Sequence, residues 1–346
     1  TGSCNIALGC GALYTSLSGD HNFAAGQCSL YSNYGGTYNT AIGHRALRSN
    51  TTASHNHAIG PSALQNNTTG TLNHAFGSQA LTNNTEGNCN QAIGNYALYS
   101  NTTGSNNSAI GKGSLYANTE GKWNNAMGAY ALCSNTTGCH NAGIGAYALF
   151  SNTTGCYNTA IGNKALYFNT EGFYNTAIGC FALNSNTLGY NNNAIGQQAL
   201  QNNTTGNYNN AIGRCTLGSN TTGDYNTAIG DRALYQSLSG DNNFAAGVCA
   251  LYSNWGGCDN NAIGREALKC NTTGAENVAI GQCTLLNNTT GCNNTAIGAF
   301  DLCKNTEGNF NTAIGRMALR SNTTGGCNAA IGYQAMYYNT TGDSNF

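Results

Sequence analysis

Over 346 residues the chain carries only 7% charged side chains and a formal net charge of -1. So little charge cannot build a phosphate-binding surface, which argues against nucleic acid as a partner, and apolar runs of a few residues exclude a membrane-spanning helix. One proline, 47 glycines and a great excess of Asn and Thr leave few helix formers, yet apolar residues recur too regularly for disorder.

The regularity is a seventeen-residue repeat, legible over 158–174 as NTAIGNKALYFNTEGFY, that runs from Asn5 without insertion or deletion and fills twenty copies to residue 344. A strict period of that length predicts an all-β fold, a parallel β-solenoid (β-roll) of about twenty 17-residue coils with two short strands per coil. The repeat overrides the two domains that length alone suggests, so residues 1–346 read as one continuous solenoid. Thr1 and Gly2 close one repeat while Asn345 and Phe346 open another, which predicts a segment of a longer repeat protein.

Position 1 of the repeat is Asn in all twenty copies. Stacked at a coil rise of about 4.8 Å, such a column can form an amide ladder. Positions 2–4 make the first short strand, in which period-two geometry separates position 3, Ala in nineteen copies, from position 4, Ile in fifteen. The bulk of Ile assigns position 4 to the core, beside Leu at position 9 in nineteen copies. Burying both contributes roughly 3–6 kcal/mol per coil before entropy. The Ala column at position 3 then faces outward, where small side chains signal close contact, either with another chain or with a tight turn of the same coil. Gly at position 5, in every copy, marks a corner that wants φ > 0, and the Ala-Leu-x-x stretch after it forms the second strand. Asn-Thr-Thr-Gly at positions 12–15 reads as the other corner. Its Asn, present in eighteen copies, caps the turn and stacks as a second ladder; its Gly, in nineteen with Ala53 the exception, supplies a left-handed residue. Twenty coils at this rise predict a rod about 95 Å long.

At NTAIGxxAL, over residues 158–166 and again over 311–319, the chain resembles the head repeats of trimeric autotransporter adhesins. It is similar, and closer still, to the NTAIGxxALxxNTTG arrays of phage-like and giant-virus fibre proteins. The resemblance covers the whole chain and implies a parallel β-roll, often trimeric, displayed on an exterior surface. A second period is nested in the first: YTSLSGDHNFAAG from Tyr14 returns as YQSLSGDNNFAAG from Tyr235, 221 residues on. That fits a long filamentous protein, or a local duplication within a finite rod.

Sequons place their Asn at position 12 in Asn50, Asn67, Asn101, Asn135, Asn152, Asn203, Asn220, Asn271, Asn288, Asn322 and Asn339, with six more at Asn66, Asn83, Asn106, Asn202, Asn287 and Asn293. A corner column of acceptors would carry N-linked glycans. In four repeats Glu86, Glu120, Glu171 and Glu307 remove the sequon and keep the turn, so the turn is the primary requirement; Thr51, Thr68 and Thr102 offer O-linked attachment instead. Sixteen cysteines favour an oxidising, extracellular setting over free buried thiols. Cys139 and Cys156 share position 16 of adjacent coils, inside disulfide range, and form the strongest staple. Cys249 with Cys258 and Cys283 with Cys292 repeat one spacing and either bridge corners or link neighbouring chains.

No CxxC pair points to zinc. His57 and His74 share position 2 of consecutive coils with His55 close by, which favours a structural stack over a metal site. Tyrosines at position 10, among them Tyr14, Tyr31, Tyr99, Tyr116, Tyr167, Tyr235 and Tyr252, predict a cross-coil ladder, with sugar stacking as the alternative. Carboxylates are scattered and no nucleophile has a base partner, so the chain reads as no enzyme, with no metal and no cofactor beyond covalent glycans. The expected function is a non-enzymatic extracellular structural fibre or adhesin shaft on a cell or virion surface. It would be glycan-decorated and self-associate as a trimer or filament through the position-3 Ala column. The alternative is a binding module whose repetitive Thr/Asn face holds surface glycans or, less favoured because position 2 varies through Ile6, Phe23, His57, Gln91 and Val278, ice. Neither nucleic acid nor membrane insertion is expected.

Overall fold

In the computed structural model, which describes residues 2–346, the chain is an all-β parallel solenoid with 17 residues per coil. Thr1, read as the close of a repeat, lies outside the described residues. The chain forms two compact units, Thr1–Tyr174 and Asn175–Phe346. The first contains strands β1 (Ile6–Leu8) to β10 (Thr159–Ile161), and the second β11 (Thr176–Ile178) to β20 (Ala329–Ile331), every strand three residues long. Within each unit each strand pairs in parallel with the next in strict register, as in Thr40↔His57↔His74 and Asn193↔Asn210↔Thr227. No helix among the described residues is long and apolar enough to cross a membrane.

The strands have the opposite phase to the one that bulk suggests. Position 3 faces inward, with Ala24, Ala41, Ala160 and Ala228 fully buried, while the position-4 side chains Ile42, Ile161 and Ile229 are 37%, 38% and 42% exposed. The narrow bore is the reason. Leu at position 9, fully buried from Leu30 to Leu319, fills it. Gly143 is the one position-3 residue without a Cβ. A methyl built there would lie 3.4 Å from Leu132 Cγ and 3.3 Å from the Ala148 carbonyl oxygen, so the space admits Ala and not Ile. Position 8 also points in, as fully buried Ala46, Ala148 and Ala233 show. The apolar core of a typical coil is therefore one Leu and two Ala.

The second expected strand is a run of turns. Positions 5, 7 and 9 are all left-handed, with φ of 137° at Gly162, 54° at Lys164 and 50° at Leu166. The alternation sends successive N–H groups to different neighbours. Lys164 N donates to Ala146 O of the preceding coil at 3.1 Å, Leu149 N to Ala165 O of the following coil at 3.0 Å, and Asn169 N back to Leu166 O at 3.2 Å. Each non-glycine left-handed residue costs about 1 kcal/mol or more, and position 17 adds another, such as Tyr157 at φ 60°. A coil stays in this conformation because both neighbours bond to it.

Gly at position 15 was expected to be left-handed, and none of these glycines is. Crowding explains it instead: a Cβ on Gly206 would lie 2.5 Å from both Asn203 Oδ1 and the Gly223 carbonyl oxygen. Only a hydrogen fits where coils come this close.

Candidate functional site

The polar interior decides which groups are left for the surface. In the coil of residues 141–157, Asn141 and Asn152 both donate Nδ2–H to the Gly155 carbonyl, at 2.8 and 3.0 Å. Each then reaches the preceding coil, Asn152 to Asn135 Oδ1 at 2.7 Å and Asn141 to Asn124 Oδ1 at 3.2 Å. The Asn141 backbone N–H donates to the same Asn124 oxygen at 3.1 Å. These are the two amide ladders expected from positions 1 and 12, satisfied inside the wall rather than on it.

The position-12 Asn expected as N-glycan acceptors are the side chains engaged in this ladder. Asn50, Asn67, Asn101, Asn135, Asn152, Asn203, Asn220, Asn271, Asn288 and Asn322 are fully buried. Asn339 is half-buried, its Nδ2 on Asn322 Oδ1 and Gly342 O at 3.1 Å each. A sugar would replace one of the two Nδ2 hydrogens these bonds use. Of the remaining sequons Asn66, Asn83, Asn106 and Asn293 are half-buried, whereas Asn202 and Asn287 are exposed. Thr51, Thr68 and Thr102 are also engaged, donating Oγ1–H to carbonyls of the next coil at 2.9, 2.9 and 3.1 Å. The exposed hydroxyls are one residue further on, at Thr52, Thr69, Thr103 and Thr137.

All sixteen cysteines are free thiols. Cys139 and Cys156 are brought together, their sulfurs 3.1 Å apart, and burial followed by the Cys156 hydrogen bond pushes the Cys139 thiol up to about 11. The pairs expected within a repeat have separate partners: Cys283 Sγ donates to Glu266 Oε2 at 3.5 Å, Cys292 Sγ to Thr290 O at 3.3 Å, and Cys258 Sγ accepts from Asp241 N at 3.4 Å while Cys249 sits half-buried in the position-7 column. Oxidation with a small-molecule disulfide should therefore bridge Cys139 to Cys156 first, slowly at neutral pH because the attacking group must be a thiolate. Non-reducing peptide mapping checks this. Earlier appearance of a Cys249–Cys258 or Cys283–Cys292 peptide would refute the assignment.

Rings form the ladders expected at position 10, as at Tyr14–Tyr31 (5.0 Å, 11° between planes) and Tyr99–Tyr116 (5.2 Å, 8°). His57 and His74 stack at 5.0 Å, and burial, then His74 and His55, lower the His57 pKa. No group of three His, Cys, Asp or Glu among the described residues is placed to hold a metal. A column at position 17 escaped the sequence reading: Trp123, His140, Tyr157 and Tyr174 stack in turn at 6.3, 4.8 and 4.9 Å. Aligning the repeats shows these aromatics, but the isolated motif NTAIGxxALxxNTTG ends two positions short of them.

The surface is thus built of columns, among them the partly exposed Ile column of the strand face, the Thr column at position 14 and the ring columns at positions 10 and 17. One buried charge stands apart. Asp301 replaces Ala at position 8 and is fully buried; Oδ1 accepts from Ala318 N at 2.8 Å and Oδ2 has no partner. No protein-family model matches the chain, and no curated protein is significantly similar to it.

Proposed function

We propose that the chain is a non-enzymatic structural solenoid of an extracellular fibre or adhesin shaft, and that copies associate laterally through the Ile column of the strand face. The exposed apolar column carries this reading. In each unit an Ile or other apolar side chain at position 4 recurs on a parallel sheet, as in Ile42, Ile59, Met127, Ile144 and Ile161 of the first unit, 37–41% exposed. Covering the exposed part of one such side chain contributes on the order of 1 kcal/mol, small for one coil and large for many in register. With 12 basic and 13 acidic residues in the chain, repulsion between copies is weak. The resemblance to adhesin-head and fibre repeats supports the same reading, with the contact face moved from the buried Ala of position 3 to position 4. Glycans, where present, belong on the exposed position-14 Thr and on Asn202 and Asn287.

Native mass measurement tests the assembly. Wild-type chain should form a trimer or larger species, and the triple variant Ile42→Lys, Ile144→Lys, Ile161→Lys should run near the 35.8 kDa monomer with unchanged circular dichroism. A monodisperse 35.8 kDa wild type defeats the proposal.

A further inference from the structure

In the first unit the position-7 column runs Tyr96, Gly113, Tyr130, Tyr147. Where rungs are adjacent the rings stack, Tyr130 on Tyr147 at 5.6 Å and 14°. Gly113 removes one rung. The result is a 420 Å³ notch lined by Tyr96, Lys112, Gly113, Tyr116 and Tyr130. Two coil rises of about 4.8 Å separate the backbones that carry Tyr96 and Tyr130, and the Tyr130 ring leans over Gly113, so the notch opens between that ring, Tyr96 and Tyr116. Tyr116, 37% exposed, forms a side wall, its centroid 6.3 Å from Tyr96, which is 38% exposed. Lys112 Nζ stands 5.7 Å from the Tyr130 centroid and takes part in no ion pair among the described residues.

We infer that this notch is a binding site for an acidic pyranose, a hexuronate residue of a polysaccharide. The volume lies in the range of small-ligand sites. Its walls are phenol rings, apolar on the face and hydroxylated at the rim, and no aliphatic side chain lines it, which suits a ring with C–H faces and hydroxyl edges better than a purely apolar ligand. Lys112 supplies the positive charge for the carboxylate, and no carboxylate of the protein lines the notch to repel it. The site is on the turn run, a different column from the Ile face, so it stands or falls separately from lateral assembly.

The test is an NMR or calorimetric titration of the whole chain with digalacturonate, with methyl glucoside and phenylacetate as competing ligand classes. Digalacturonate should bind saturably and more tightly than either. Lys112→Gln should weaken it about tenfold, the loss of one charge-assisted contact, and leave any methyl glucoside binding unchanged. Gly113→Tyr restores the missing rung and should abolish binding with the fold and native mass intact, because Tyr96, Tyr130 and Tyr147 already occupy this column at φ of 60°, 56° and 60° against 63° for Gly113. The Tyr130 ring must swing aside to admit it, since Cδ1 and Cε1 lie 2.8 Å from where the new Cβ would be; Tyr116→Ala is the second variant and should also weaken binding. Absence of saturable binding, binding indifferent to Gly113→Tyr and Tyr116→Ala, or preference for phenylacetate overturns the inference.

Discussion

Asn152→Ala should cost the first unit roughly 2–5 kcal/mol, far more than a surface substitution, although the side chain removed is small and polar. Three bonds go at once: those from Asn152 Nδ2 to Asn135 Oδ1 and to Gly155 O, and the one Asn152 Oδ1 accepts from Asn169 Nδ2 at 2.7 Å. Asn135 Oδ1 is then buried without a partner and Asn169 Nδ2 loses its bond to the ladder, while Gly155 O keeps Asn141. Hydrogen exchange resolved by residue is the appropriate measurement, because a solenoid opens locally, and protection should fall in the coils on either side of residue 152. Thr154→Ala, at an exposed position, is the control and should change little. The chain also contains the opposite case. Ser237 occupies position 12 in the second unit, and both its Oγ and Asn220 Oδ1 are buried without partners. Ser237→Asn should rejoin the ladder and stabilise that region by about 1–3 kcal/mol. Faster exchange around residue 237 in that variant would contradict the ladder account.

Asp301→Ala should stabilise the second unit at pH 7–8 by up to roughly 3 kcal/mol and have little effect near pH 4. Burial raises the Asp301 pKa from 3.8 to about 6, against the hydrogen bond from Ala318 N that opposes it. A carboxyl whose folded pKa is raised holds its proton more tightly when folded, so its favourable contribution is complete below pH 3.8 and is lost as pH rises through about 6. Wild type should therefore weaken between pH 4 and 7, a window in which Asp301→Ala stays flat. The local geometry agrees. In other coils the position-8 N–H bonds the preceding Gly carbonyl, as Ala267 N does Gly264 O at 3.3 Å, whereas Ala318 N donates to Asp301 Oδ1. Denaturation midpoints across pH for the two proteins settle the point; parallel profiles would rule out Asp301 as the source.

The period, the all-β class and the pairing of coils were legible because they depend only on spacing. The direction each column faces was not. Position 4 looked like core because Ile is larger and more apolar than Ala, but a 17-residue coil closes on a bore that one Leu nearly fills, and volume outweighs hydrophobicity there. The ladders at positions 1 and 12 were read correctly as amide stacks, yet the same sequons suggested glycans, because Asn-x-Thr reports a chemical acceptor and not its burial. Left-handed Leu, Tyr and Lys at positions 7, 9 and 17 gave no signal, since local propensity reserves that region for Gly and Asn; here bonds to both neighbouring coils override it. The notch at Gly113 is a side effect of one missing side chain, visible only once neighbouring repeats are set in register.

Both carboxamide columns point the same way: Asn152 donates to Asn135, and Asn158 to Asn141 at 3.2 Å, each toward the earlier residue. The threonine hydroxyls run against them, Thr136 donating to Thr153 O at 3.1 Å, toward the later one. The amide oxygens of each coil are filled by donors of the coil after it, and its threonine donors reach that same later coil, so the two rims of any coil are chemically unlike.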